Sequence, residues 1–135
     1  MTGSTARTIV EDFFTEAFTK GNLDHLKTLP EDFVLHNFDT TIEGRDAWID
    51  AVVRPSFAAF SDLTFTAEII LAEDDKVAIR WRAQGTNDGP FQGRPASGKS
   101  VSFTGAIIYR VEQGQIVEAW AQPDRLGLMQ QMGLV

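Results

Sequence analysis

Residues 100–135 constrain the chain most. Two strand-like runs, 101–111 and 115–122, flank Glu112-Gln113-Gly114, and Pro123-Asp124 follows at once. How this hairpin turns decides which side chains share a face, because a one-residue slip in register exchanges the faces of a strand. A strict two-residue turn at Gln113-Gly114 sets Arg110 opposite Val117 and Ala106 opposite Ala121. A three-residue loop, with Gly114 in the left-handed conformation and a bulge, sets Tyr109 opposite Val117, Ile107 opposite Ala119 and Gly105 opposite Ala121. Only the second register sorts the residues. One face then carries Phe103, Gly105, Ile107, Tyr109, Val117, Ala119 and Ala121, and suits a core that opens into a cavity. The other carries Thr104, Ala106, Ile108, Arg110, Ile116, Glu118, Trp120 and Gln122, and suits solvent or a partner subunit.

Earlier segments supply what such a sheet needs. Ser4 and Thr5 offer helix caps, and Ile9, Val10, Phe13, Phe14, Ala17 and Phe18 recur at helical spacing until Gly21. Asn22 caps a short helix, 23–29, stopped by Pro30, and 33–38 reads as a short strand. A third helix spans 44–60, with Trp48, Ala51, Val52 and Phe57 on or near one face. Pro55 inside it predicts a kink or a split, since proline removes a donor and crowds the preceding turn. After Ser61 the period becomes two. Leu63, Phe65, Ala67, Ile69 and Leu71 alternate with polar residues, and Val77, Ile79, Trp81 and Ala83 do so after a turn at 73–76. Residues 85–100 are a glycine- and proline-rich loop, and Asp124 caps a last helix, 125–132. Helices followed by long antiparallel strands make an α+β domain. Three N-terminal helices cover one face of a strongly bent sheet and enclose a conical pocket.

At 135 residues the chain is one domain with room for a core and one pocket. Its formal net charge of −7 argues against nucleic acid or an anionic membrane as partner. No cysteine is present, which excludes disulfides and thiolate chemistry. The two histidines, His25 and His36, share no metal-type spacing, so no metal and no cofactor are expected. The N-terminus is not a signal peptide and no apolar run spans a membrane; the expectation is a cytoplasmic protein. Gly93 to Ser100 matches the spelling of a phosphate loop. A strand rather than a helix follows Lys99, so the motif lacks its context and is rejected.

Three residues could carry proton chemistry. His36 is an imidazole acting as acid, base or orienting donor in the pocket, or a half-exposed histidine bonded to backbone. Asn37 points to the opposite side of the same strand. Asp124 is a base at the pocket mouth, or simply the cap of the last helix; a carboxylate held by N–H donors is a poor base. Tyr109, the only tyrosine, polarises a carbonyl if it faces inward, or is a core ring. Phe14, Trp48, Trp81, Phe103, Ile107, Ala119 and Ala121 are the expected pocket wall. Trp120, with Glu118 and Arg110, suits a homodimer interface on the mixed face, or Glu118 and Arg110 form a plain cross-strand ion pair of small value.

The pattern Gly105-x4-Arg110-Val111-x2-Gly114-x-Ile116-x-Glu118-x-Trp120-x3-Asp124-x2-Gly127-Leu128-x2-Gln131-Met132-Gly133 resembles the SnoaL-like polyketide cyclase family of the NTF2-like superfamily. Gly85-Thr86-Asn87-Asp88-Gly89-Pro90-Phe91-Gln92-Gly93 and Pro95-Ala96-Ser97-Gly98-Lys99 match the family's usual connection between long strands. The resemblance implies the cone fold, a small hydrophobic ligand and cofactor-free acid–base chemistry. In the aldol cyclases of that family, a carboxylate near the end of the last strand removes a substrate proton. That position here is Ala121, and a family histidine position on the facing strand is Ile107. Two readings follow: a cyclase- or isomerase-type enzyme acting on a hydrophobic carbonyl compound, or a non-catalytic binding or scaffold protein on the same fold.

Overall fold

The computed structural model describes the backbone of residues 3–37 and 40–135 and the side chains of 5–37 and 40–135. The expected cap at Ser4 and the expected strand end at Phe38 lie outside the described side chains.

The amphipathic N-terminal run forms α1, Gly3–Phe14, prolonged by a π-helical turn, Thr15–Thr19. Its apolar face, Ala6, Val10, Phe13, Phe14, Ala17 and Phe18, is buried. A 3-10 helix, Leu23–Thr28, follows and ends before Pro30. The third helical segment splits at its proline. It comprises α2, Arg45–Trp48, a π-helical stretch, Ile49–Val53, and α3, Arg54–Ala59, with Pro55 in the first turn of α3. A proline there cannot donate to the turn before it, and the widened turn absorbs the mismatch. The Ser56 hydroxyl donates to the Val52 carbonyl at 2.7 Å within that region.

Six strands make one sheet: β1 Val34–Asn37, β2 Thr40–Glu43, β3 Thr64–Glu73, β4 Lys76–Thr86, β5 Ser100–Glu112 and β6 Gln115–Pro123. Their order is β2-β1-β6-β5-β4-β3. Only the β1–β6 pair is parallel. The short strand β2 escaped the sequence reading, although its Thr-Thr-Ile-Glu is rich in β-branched residues. A last helix, α4, Arg125–Gln131, closes the fold, a helix-covered, curled mixed sheet of the α+β class.

The hairpin corrects the expected register. Gln113 and Gly114 both have positive φ, 51° and 78°, so the turn is the two-residue form, pairing Glu112 with Gln115. The bulge lies further in: Val111 pairs with Ile116 and Arg110 with Glu118, which leaves Val117 unpaired. The extra residue restores the expected parity but moves the partners by two. Ile107 therefore faces Ala121, Tyr109 faces Ala119 and Gly105 faces Pro123. Ile116, assigned outward above, is buried opposite Val111, and Val117 loses its place in the wall. A second bulge, between Ala67 and Ile69, does the same to β3. Past it Ile70 and Ala72 pack on the core, while Ile69 and Leu71 are exposed on the outer face.

Candidate functional site

Between the inner face of the sheet and the helical layer lies a cavity of about 500 Å³, within the range of small-molecule sites. The sheet contributes Phe65, Trp81, Phe103, Ile107, Tyr109 and Ala121, and the helices contribute Phe14, Phe18, Trp48, Val52, Val53 and Phe57. The glycine-rich loop adds Pro90, Phe91 and Gln92, the end of β6 adds Pro123, and the start of α4 adds Arg125. Gly105 makes the wall possible. It sits directly across from Trp81, and a Cβ at that position would overlap the indole. The aromatic residues interlock edge to face: Phe65 lies 5.1 Å from Trp81, and Trp81 lies 5.8 Å from Phe103, ring centre to ring centre.

Of the expected wall, Phe14, Trp48, Trp81, Phe103, Ile107 and Ala121 line the cavity, whereas Ala119 is fully buried behind it. Of the three expected proton-handling residues, only Tyr109 reaches the cavity. It is 2% exposed, packs edge to face on Phe13, and its hydroxyl makes no hydrogen bond to the described residues. Burial pushes its pKa upward, so the phenol stays neutral and acts as a donor.

His36 does not line the cavity. Strand alternation turns Leu35 and Asn37 inward and His36 outward, where it stacks on Trp120. Its Nε2 lies 2.6 Å from Glu118 Oε2 and its Nδ1 3.0 Å from Thr41 Oγ1. Glu118 also accepts from Arg110 at 2.9 Å. These contacts, the His36 hydrogen bond foremost, hold the Glu118 carboxyl below the usual glutamate range. Asp124 is likewise outside the lining. Its Oδ1 accepts from the Gly127 N–H at 2.9 Å, capping α4. A Cβ on Gly127 would overlap that carboxylate.

Asn37 is the functional candidate that the sequence reading passed over. It lines the cavity beside Ala121, its parallel-strand neighbour, and its Oδ1 is buried without a hydrogen-bond partner. The signal was present: once Phe33 and Leu35 are taken as core, period-two alternation carries Asn37 inward. Ala121 pairs on its other side with Ile107. The centre of the wall is therefore an apolar cross-strand pair, and among the described lining residues there is no carboxylate and no imidazole. No group of three His, Asp or Glu among the described residues could hold a metal ion.

Comparison with known proteins agrees with this geometry. The sequence profile of the SnoaL-like polyketide cyclases matches residues 8–132. The chain belongs to that family. Among solved structures, this SnoaL-like protein is similar to one assigned as a SnoaL-like polyketide cyclase from Jannaschia sp. CCS1. The identity is 26%, the TM-score 0.87, and the match covers 98% of this chain and 94% of that one. It is similar also to IdmH of Streptomyces antibioticus, assigned as a polyketide cyclase, at 30% identity and TM-score 0.80 over 95% and 98% of the two chains. TsrD of Streptomyces laurentii matches at 27% identity and TM-score 0.82, over 100% and 99%. No curated protein matches the sequence. These likenesses give this SnoaL-like protein the NTF2-like fold. Among its described residues, no helix is long and apolar enough to cross a membrane.

Proposed function

We propose that the cavity takes up a small, largely apolar carbonyl compound and promotes its cyclisation or isomerisation without a cofactor. In this reading the protein polarises the carbonyl with donors and positions the reacting atoms; it does not itself remove a proton. The observation that carries it is the neutral hydroxyl of Tyr109, a residue only 2% exposed that lines an apolar chamber and makes no side-chain hydrogen bond with the described residues. An unpaired polar group in such a place favours a ligand that accepts its hydrogen bond. The Asn37 carboxamide is a second polar group, able to donate through Nδ2 and to accept through its unpaired Oδ1, two strands from Ile107 and so about 10 Å away across the sheet. A donor aimed at a developing oxyanion strengthens as charge builds on the oxygen. The proton leaving the attacking carbon passes to water or to a basic group of the substrate.

A second reading, binding without turnover, is favoured by the apolar Ala121–Ile107 pair at the place where the aldol cyclases of the family carry proton-handling groups. One experiment separates the two: a thermal-shift screen over polyketide, steroid and terpene ketones, followed by chromatography of the hits after incubation. Ketones are expected to raise Tm in the wild type. Tyr109→Phe should weaken them by about two- to tenfold, the range of one neutral hydrogen bond, and leave matched hydrocarbons unchanged. Ala121→Trp, which fills the chamber, should abolish both. Ketones that bind Ala121→Trp as tightly as wild type would overturn the site. Tight binding without any new product would leave the binding reading alone standing.

The outer sheet face completes the proposal. Leu71, Ala78, Ile108 and Trp120 form one row across four strands, with Ile69 and Ala106 beside it. Ile69, Leu71 and Ile108 are 50%, 66% and 41% exposed. Of the charged neighbours, Arg110 pairs with Glu118 and Glu112, and Arg82 with Glu68, while Arg80, between Ile69 and Ala106, makes no ion pair with the described residues. An apolar row flanked mostly by paired charges suits a second copy of this chain, related by a two-fold axis.

A further inference from the structure

The cavity mouth holds a charge that the apolar interior does not explain. Arg125 lines the cavity at its exposed end and makes no ion pair or hydrogen bond with the described residues. Its neighbour Asp124 is no partner, because that carboxylate is turned to the Gly127 N–H. Gln92 also lines the cavity and is exposed, and its side chain makes no hydrogen bond with the described residues. Its position is built: Phe91 and Arg94 exchange backbone hydrogen bonds of 2.9 and 3.0 Å around Gln92-Gly93, and Phe91 packs 5.8 Å from Phe60. The polar lining residues therefore differ in exposure: Tyr109 is buried and Asn37 half-buried, Ser56 is spent on the Val52 carbonyl, and Arg125 and Gln92 are exposed.

We propose that the ligand is an amphipathic acid, an apolar ring body whose acidic group is held at the mouth by Arg125 and Gln92. This rests on the reading of the cavity as a ligand site and adds to it the charge and the orientation. Entry with the acid outward would bring the carbonyl end to Tyr109 and Asn37. The net charge of −7 does not oppose this, since at physiological salt charges farther than about 8 Å are largely screened and the local guanidinium dominates. An arginine fork matches the two oxygens of a carboxylate and forms charge-assisted hydrogen bonds with them.

Two fluorescent dyes that differ only in the acid test this: 8-anilinonaphthalene-1-sulfonate and its uncharged parent N-phenyl-1-naphthylamine. Both should brighten in wild-type protein and fail to do so in Ala121→Trp. Arg125→Gln should weaken the sulfonate by about five- to tenfold, between a screened surface pair and a buried charged one, and change the parent by less than about twofold. Arg125→Lys should recover part of the loss. 2-Naphthoate should displace the parent dye better than methyl 2-naphthoate in wild type, and not in Arg125→Gln. If the parent binds in the chamber and Arg125→Gln leaves the sulfonate and the naphthoate untouched, the acid subsite is overturned while the cavity stands. If neither dye responds to Ala121→Trp, the cavity reading falls and the acid subsite with it.

Discussion

Gly105 and Tyr109, four residues apart on β5, divide the work of the inner wall. Gly105 gives room for the Trp81 indole to lie across the strand, and Tyr109 supplies the polar group. Gly105→Ala puts a methyl group into the Trp81 ring. Overpacking of that kind costs about 1–3 kcal/mol, and the indole can relieve it only by moving toward the empty volume. The variant should therefore melt lower and also bind N-phenyl-1-naphthylamine more weakly. Denaturant unfolding together with a dye titration checks this. A lower Tm with full dye affinity would mean that Trp81 does not set the shape of the chamber. Pairing a strand glycine with a cross-strand tryptophan was not legible in the sequence, because it depends on the β4–β5 register across a long loop.

At the scale of elements, the glycine-rich loop is held by a residue that the sequence reading treated only as part of a family match. Asn87 is fully buried. Its Nδ2 donates to the carbonyls of Ala59 and Gly89, and its Oδ1 accepts from the Ser97 N–H at 2.7 Å. It ties both ends of the loop to the end of α3. Asn87→Ala leaves the Gly89 carbonyl and the Ser97 N–H without that partner, while the Ala59 carbonyl still accepts from the Asp88 and Gly89 N–H groups. We expect a loss of about 1–3 kcal/mol, the cost of polar groups left without a partner, and weaker dye binding as Phe91 and Gln92 leave the cavity. A cost below about 1 kcal/mol would show that water replaces the side chain freely. The long strands, the split at Pro55 and the cap at Asp124 were legible because each follows from local chemistry. The bulges at Glu68 and Val117 were not. Each adds one residue to one strand, and period-two alternation misassigns every side chain beyond it until the partner strand is known. Fold class survived both errors, since two faces still sort, but the identity of the inward residues at Ile116 and Ile70 did not. His36 failed as a pocket residue for the simpler reason that its own strand neighbours, Leu35 and Asn37, are the ones facing in.

Seen as a whole, the molecule puts its cavity on one side of the sheet and the His36–Glu118–Arg110 network on the other. Ile108→Glu, in the middle of the outer apolar row, should convert the proposed dimer to a monomer in sedimentation velocity without lowering dye affinity. A wild type that sediments as a monomer at all concentrations would remove the dimer. The network itself predicts a pH dependence. Folding holds the Glu118 carboxyl below the usual glutamate range, through the His36 hydrogen bond first and Arg110 after it. A carboxyl depressed by folding stabilises the native state fully above its unfolded pKa, and that contribution disappears as pH falls through the folded value. Glu118→Gln lacks the charge and should melt about 3–5 °C below wild type at neutral pH, equivalent to about 1 kcal/mol for a partly exposed pair in a chain this size. As the pH drops below about 4.5 the wild-type curve should fall toward that of the variant, and the gap should close. Parallel curves down to strong acid would mean that Glu118 is no better held in the folded protein than in the unfolded chain. The His36–Glu118–Arg110 contacts would then be surface decoration rather than part of what keeps β1 docked on β6.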